Sequence, residues 1–145
     1  MTNQWNVAIL QMDVAYGQPE QNRAKLRAMS QSLLESGERT DVLIMPELWD
    51  TAYDLRRLDE IADEAGTAAQ AVLKETALRL GSYVVGGSIA ERSGEHVYNT
   101  TYVFDRAGQL IGRYAKVHLF RLMHEDKYLA AGDAAGLYSM DGVPN

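Results

Sequence analysis

The sequence contains no cysteine among its 145 residues. A disulfide, a thiolate metal site and a cysteine nucleophile are therefore all excluded within it. Basic residues are in the minority, with 14 Lys and Arg against 20 Asp and Glu, a net charge of −6. Binding to a phosphate backbone or an anionic membrane calls for clustered Lys and Arg. Here they are scattered among acids, so neither nucleic acid nor membrane is expected as a partner. No apolar run approaches the roughly 20 residues of a membrane span. The opening Met1-Thr2-Asn3-Gln4-Trp5 lacks the basic and apolar regions of a leader, so a cytoplasmic protein is expected. Proline is scarce, at three residues, and no repeat, linker or low-complexity tract divides the chain. Residues 1–145 read as one domain, long enough to bury a real core.

What is present is an alternation of elements. Trp5–Met12 reads as a strand. Pro19 suits the first turn of a helix. Leu26, Met29, Leu33 and Leu34 then fall on one helical face between Glu20 and Ser36. Asp41–Met45 is a near-continuous apolar run of the kind covered on both faces, stopped by Pro46. A helix is expected over Leu55–Ala65 and another over Thr67–Leu80, the second capped by Thr67. Ser82–Ile89, Val97–Phe104 and Leu110–Tyr114 read as three antiparallel strands joined by short turns. Together these predict an α/β protein with a mixed sheet and helices on at least one face. After Tyr114 the periodicity fades, and Asp141–Asn145 reads as the approach to another element.

Three residues could carry chemistry. Glu47 follows the second strand in Ile44-Met45-Pro46-Glu47-Leu48-Trp49. Burial beside apolar neighbours would raise its pKa and suit it to general-base work. Its plainer reading is a solvated acid at a loop mouth. Lys116, in Tyr114-Ala115-Lys116-Val117-His118, could stabilise an oxyanion if a carboxylate pairs with it. It could equally snorkel to solvent. Glu125 alone would be a surface acid. The three histidines, His96, His118 and His124, lack zinc-site spacing, and Gly86-Gly87 carries neither a P-loop nor a dinucleotide fingerprint. No metal and no cofactor is expected.

Taken in order, Pro46-Glu47-Leu48, Lys116-Val117-His118-Leu119-Phe120 and Glu125-x-x-Tyr128-x-x-x-Gly132-Asp133 resemble the carbon–nitrogen hydrolase (nitrilase) superfamily. Val7–Met12, Val84–Ser88 and Tyr98-Asn99-Thr100 look like that family too. Tyr53-Asp54-Leu55 resembles its ω-amidase-like branch. The resemblance covers essentially the whole chain and matches the family's N-terminal half. It implies a four-layer αββα sandwich of which this chain supplies about half. It also implies a Glu-Lys-Cys triad that hydrolyses a small linear amide through a thioester and releases ammonia. Glu47 would be the base, Lys116 the oxyanion stabiliser and Glu125 the acid that orients the lysine.

The family's cysteine has no counterpart here. Its position is expected shortly beyond Tyr138–Asn145, and Ser139 does not resemble a replacement. A companion segment bearing the cysteine, a small-molecule amide substrate and a homodimer of the intact enzyme follow as expectations, with little or no catalysis by the 145-residue chain alone. Two other readings remain: a noncatalytic half-length interaction module, and a metal-dependent phosphoesterase with Glu47 as a metal ligand.

Overall fold

A computed structural model describes residues 4–141, 143 and 144. Seven strands form one mixed sheet. In chain order they are β1 (Val7–Ile9), β2 (Val42–Ile44), β3 (Asp63–Glu64), β4 (Tyr83–Val85), β5 (Ile89–Ser93), β6 (His96–Phe104) and β7 (Leu110–Ala115). The neighbours β1, β2 and β4 run parallel, and β4, β5 and β7 pair antiparallel with β6. Two long helices, α1 (Pro19–Glu35) and α3 (Thr67–Leu80), supply the crossovers that parallel pairing requires. Two single-turn helices, α2 (Leu58–Ile61) and α4 (Glu125–Tyr128), lie in the connections, and β8 (Ser139–Met140) pairs with β9 (Val143–Pro144). The α/β architecture is the expected one, and one sheet with one helical layer is the share of a four-layer sandwich visible in this chain.

The register divides the sheet into two faces. Ala8, Leu43 and Val84 point one way, and they pack with Leu26 of α1 and Val72 and Leu73 of α3 into the main core. Val7, Val42 and Tyr83 point the other way, as do Ile9, Ile44 and Val85. Trp5, Tyr138 and Met140 cover part of this second face. Val7 and Ile9 stay bare, at 51% and 68% exposed.

Four local expectations need correction. Ser82–Ile89 is not one strand: β4 and β5 are separate and share one edge of β6, with Gly86-Gly87 at the break. Gly87 has φ +56°, and a Cβ there would collide with the Met45 and Pro46 carbonyl groups. Leu55–Ala65 is not one helix. A 3-10 turn (Leu55–Arg57) and α2 are followed by extended Ala62 and by β3. The cause is Asp63, whose carboxylate accepts the Ala68 and Ala69 N–H groups at 3.1 and 2.7 Å. That carboxylate, and not Thr67, satisfies the open amides of α3. Thr67 instead donates its hydroxyl to the Glu64 carbonyl at 2.8 Å. Leu34 is 45% exposed, because eight residues carry it about 80° around the helix from buried Leu26.

Candidate active site

The site sits where β2 and β4 end. Pro46 cannot donate to the ladder, but its carbonyl still accepts the Ser88 N–H at 3.1 Å. The amides of Leu48 and Trp49 return the tie: Leu48 donates to the Ser88 hydroxyl at 2.9 Å and Trp49 to the Ser88 carbonyl at 3.1 Å. Trp49, fully buried, sends its indole N–H to the Gly86 carbonyl at 2.9 Å. Glu47 is thus held on a loop whose backbone is fixed on both sides of it. Asn22 of α1 adds a further anchor, donating to the Asp50 carbonyl at 2.7 Å.

Lys116 follows β7 directly. Its N–H donates to the Asn99 carbonyl at 2.8 Å, and its carbonyl accepts the Gly132 N–H at 2.9 Å. A Cβ on Gly132 would overlap the Ala115 carbonyl, so this close approach requires glycine. Glu125 opens α4 and is 0% exposed. One of its oxygens accepts the Phe120 N–H at 2.7 Å.

The structure brings all three sequence-derived candidates together. The Lys116 ammonium donates to Glu47 Oε1 at 2.8 Å and to Glu125 Oε1 at 3.1 Å. Two of its three N–H bonds are therefore committed, and the third is left for an acceptor in the cleft. That cleft, of about 300 Å³, is lined by Glu47, Ser88, Asn99, Thr101, Tyr114 and Lys116 among others. Two further residues belong to the cluster and were not assigned roles from sequence. Asn99 donates its side-chain amide to Glu47 Oε1 at 2.9 Å. The Tyr53 hydroxyl lies beside the Glu47 and Glu125 carboxylates. Asn99 is one of several polar residues in β6, so nothing local singled it out, and only tertiary structure shows what it meets.

The electrostatics correct one expectation. Burial does push the Glu47 carboxyl upward, but hydrogen bonds from Lys116, Tyr53 and Asn99 and the lysine's charge outweigh it. The net result is a carboxyl below its usual range. Burial alone would lower the Lys116 pKa, yet its bonds to Glu47 and Glu125 raise it overall. Tyr53 is pushed upward by burial and then by both neighbouring carboxylates. Glu47 and Lys116 are thus held as an ion pair.

No group of three or more His, Cys, Asp or Glu side chains among the described residues is placed to hold a metal ion. Glu47 Oε1 accepts from the Lys116 ammonium and the Asn99 amide. The expected Glu-Lys-Cys triad and its thioester are overturned for this chain: none of its 145 residues is cysteine, so no thiol can attack a carbonyl here. What stands in the site is a carboxylate–ammonium–carboxylate cluster without a thiol.

An α/β layer with this cluster at its strand ends defines the class. The carbon-nitrogen hydrolase family matches residues 6–142, and the chain belongs to that family. Within it the chain lies on the ω-amidase-like branch and corresponds to the N-terminal half. It is 46% identical over 139 residues to the 2-oxoglutaramate amidase of Bacillus subtilis, covering 96% of this chain and 52% of that protein. It is 29% identical to the chloroplastic omega-amidase of Arabidopsis thaliana, covering 94% of this chain and 40% of the relative. Among solved structures, XC1258 from Xanthomonas campestris, a CN-hydrolase superfamily protein, superposes with a TM-score of 0.85 at 25% identity. That match covers 97% of this chain and 51% of the other. Saccharomyces cerevisiae Nit3 shares the fold, with a TM-score of 0.80 at 21% identity, covering 95% of this chain and 52% of its own. The chain spans about half the length of these proteins.

Proposed function

We propose that residues 1–145 form a noncatalytic module, the N-terminal portion of a carbon–nitrogen hydrolase domain, that docks a complementary α/β unit on its second sheet face. Glu47, Lys116 and Glu125 serve as the charged floor of the shared cleft, with Glu47 as proton acceptor and Lys116 as the cation that meets a ligand's carbonyl oxygen. Hydrolase chemistry, where it occurs, belongs to the assembly and not to this chain. The observation that carries this reading is the bare apolar face. Val7 lies exposed in register with Val42 and Tyr83, and Ile9 lies exposed in register with Ile44 and Val85, while Thr101 at the cleft shares the face of Val103. An exposed apolar strip of this kind marks an interaction surface. The occupant is read from length: the 2-oxoglutaramate amidase relative is covered over only 52% of its sequence. The unit that fits is therefore another sheet-and-helix layer of similar size, with an apolar inner face.

Co-expression with the C-terminal half of the Bacillus subtilis 2-oxoglutaramate amidase tests it. The expected product is a one-to-one complex by light scattering, abolished by Ile9→Lys. The 16.1 kDa chain alone should release no ammonia from 2-oxoglutaramate. A chain that stays monomeric in the mixture, or a complex indifferent to Ile9→Lys, would sink the docking reading. Face-to-face dimers of the chain itself would replace the occupant with a second copy.

A further inference from the structure

We propose that Asn99 is the positioning residue of the cluster, fixing Glu47 through its side chain and Lys116 through its backbone. The proposal rests on the reading that Glu47 and Lys116 form the chemical centre of the chain. Asn99 lies on β6 opposite Ala90 of β5, and it is buried. It is joined to both partners at once. Its side-chain amide donates to Glu47 Oε1 at 2.9 Å. Its carbonyl accepts the Lys116 N–H at 2.8 Å. The carboxylate and the ammonium come from chain segments 69 residues apart, and both are registered against this one strand position.

The chemistry of the contact is specific. Glu47 Oε1 receives two donors, the Lys116 ammonium and the Asn99 amide. An ionised carboxylate oxygen accepts both more strongly than a protonated one, and it meets both donors only when held in one rotamer. The amide therefore selects the charged form and the orientation that faces Lys116. The groups facing Glu47 are Lys116 after β7, Tyr53 on its own loop and, across the ammonium, Glu125 of α4. Of these donors, Asn99 is the neutral one that belongs to the sheet. Its contribution is geometric and does not add charge to the cleft.

The test uses the full chain and needs neither turnover nor docking. In the parent protein the Asn99 side-chain amide resonances should titrate with the Glu47 carboxyl carbon at a shared midpoint. Amide signals that ignore Glu47 protonation would overturn the proposal without any variant being made. In Asn99→Leu, which fills the space but removes the donor, the Glu47 midpoint should rise by about one pH unit. Asn99→Ala should do the same if the leucine variant does not fold. An unchanged Glu47 midpoint in a folded variant would show that Asn99 only packs. If docking fails while these titrations behave as described, the docking unit is wrong and the positioning role stands.

Discussion

Glu47 and Asp50 are carboxyl groups three residues apart on one loop, and their environments are opposite. The Glu47 side chain is 46% exposed, yet it is held ionised below its usual range by donors from Lys116, Tyr53 and Asn99. Asp50 is 0% exposed and has little to hold it. One oxygen accepts the Ala90 N–H at a long 3.4 Å, and the other has no partner among the described residues. Burial pushes its pKa up to about 7, with Arg23 too weak an influence to restore it. The contrast teaches that partners decide protonation as much as exposure does. A half-exposed carboxylate held ionised and a buried one short of partners can share a loop because β5 and β6 beside them supply donors unequally.

The largest expected effect breaks the Asp50 side of this contrast. A carboxyl whose folded pKa is raised loses native stability as pH climbs from the unfolded value through the folded one. The parent should therefore lose roughly 2–4 kcal/mol relative to Asp50→Asn between pH 4 and pH 8, with no further change above. Urea unfolding across that range measures it. A gap independent of pH would show that Asp50 is ionised in the folded state as in the unfolded one.

A smaller effect is expected at Glu125. Its carboxylate accepts from both Lys116 and the Phe120 N–H, and it is fully buried. Glu125→Gln should lower stability by about 1–2 kcal/mol, since one charged acceptor is lost. It should also leave Lys116 more fully to Glu47, moving the Glu47 midpoint further down. A midpoint that rises instead would mean that Glu125 and Glu47 do not share the lysine.

Lys116→Met breaks two ion pairs, a partly exposed and solvent-screened one with Glu47 and one with the fully buried Glu125. Its signature is the pH profile. Glu47, depressed when folded, contributes stability above its unfolded pKa that is lost as pH falls through the folded value. Lys116, raised when folded, contributes below its unfolded pKa and loses this as pH rises through the folded value. The difference between parent and Lys116→Met should be level from about pH 5 to pH 10 and shrink at both ends. A difference that persists at pH 2 would assign it to lost packing. The Glu47 midpoint itself should rise by about 1–2 pH units in this variant.

Much of this was legible in sequence, for identifiable reasons. Glu47 lies three residues beyond the end of β2 at Ile44, and Lys116 directly follows β7 at Ala115, so the ends of two readable strands announce them. Glu125 emerged only from its order relative to Lys116, since a single-turn helix leaves no periodicity. The main core was visible because Ala69, Val72, Leu73 and Thr76 repeat at helical spacing and are all buried. The rest depends on contacts distant in sequence. Asp63 stops a helical pattern by capping the next helix, and Gly87 splits a strand to make room for the Pro46 carbonyl. The direction of the Glu47 shift was misread because burial was visible from its apolar neighbours, whereas its donors come from 6, 52 and 69 residues away.

The double tether of the Lys116 backbone, to the Asn99 carbonyl on one side and the Gly132 amide on the other, has a kinetic consequence. With its root held in the sheet, the lysine reorients about its side-chain torsions, restrained by its two carboxylate partners. On the docking reading, the Lys116 backbone itself needs no rearrangement to meet a partner. Encounter and orientation would then limit how fast a docking unit associates, in the range of about 10⁵–10⁷ M⁻¹ s⁻¹ typical of preformed surfaces.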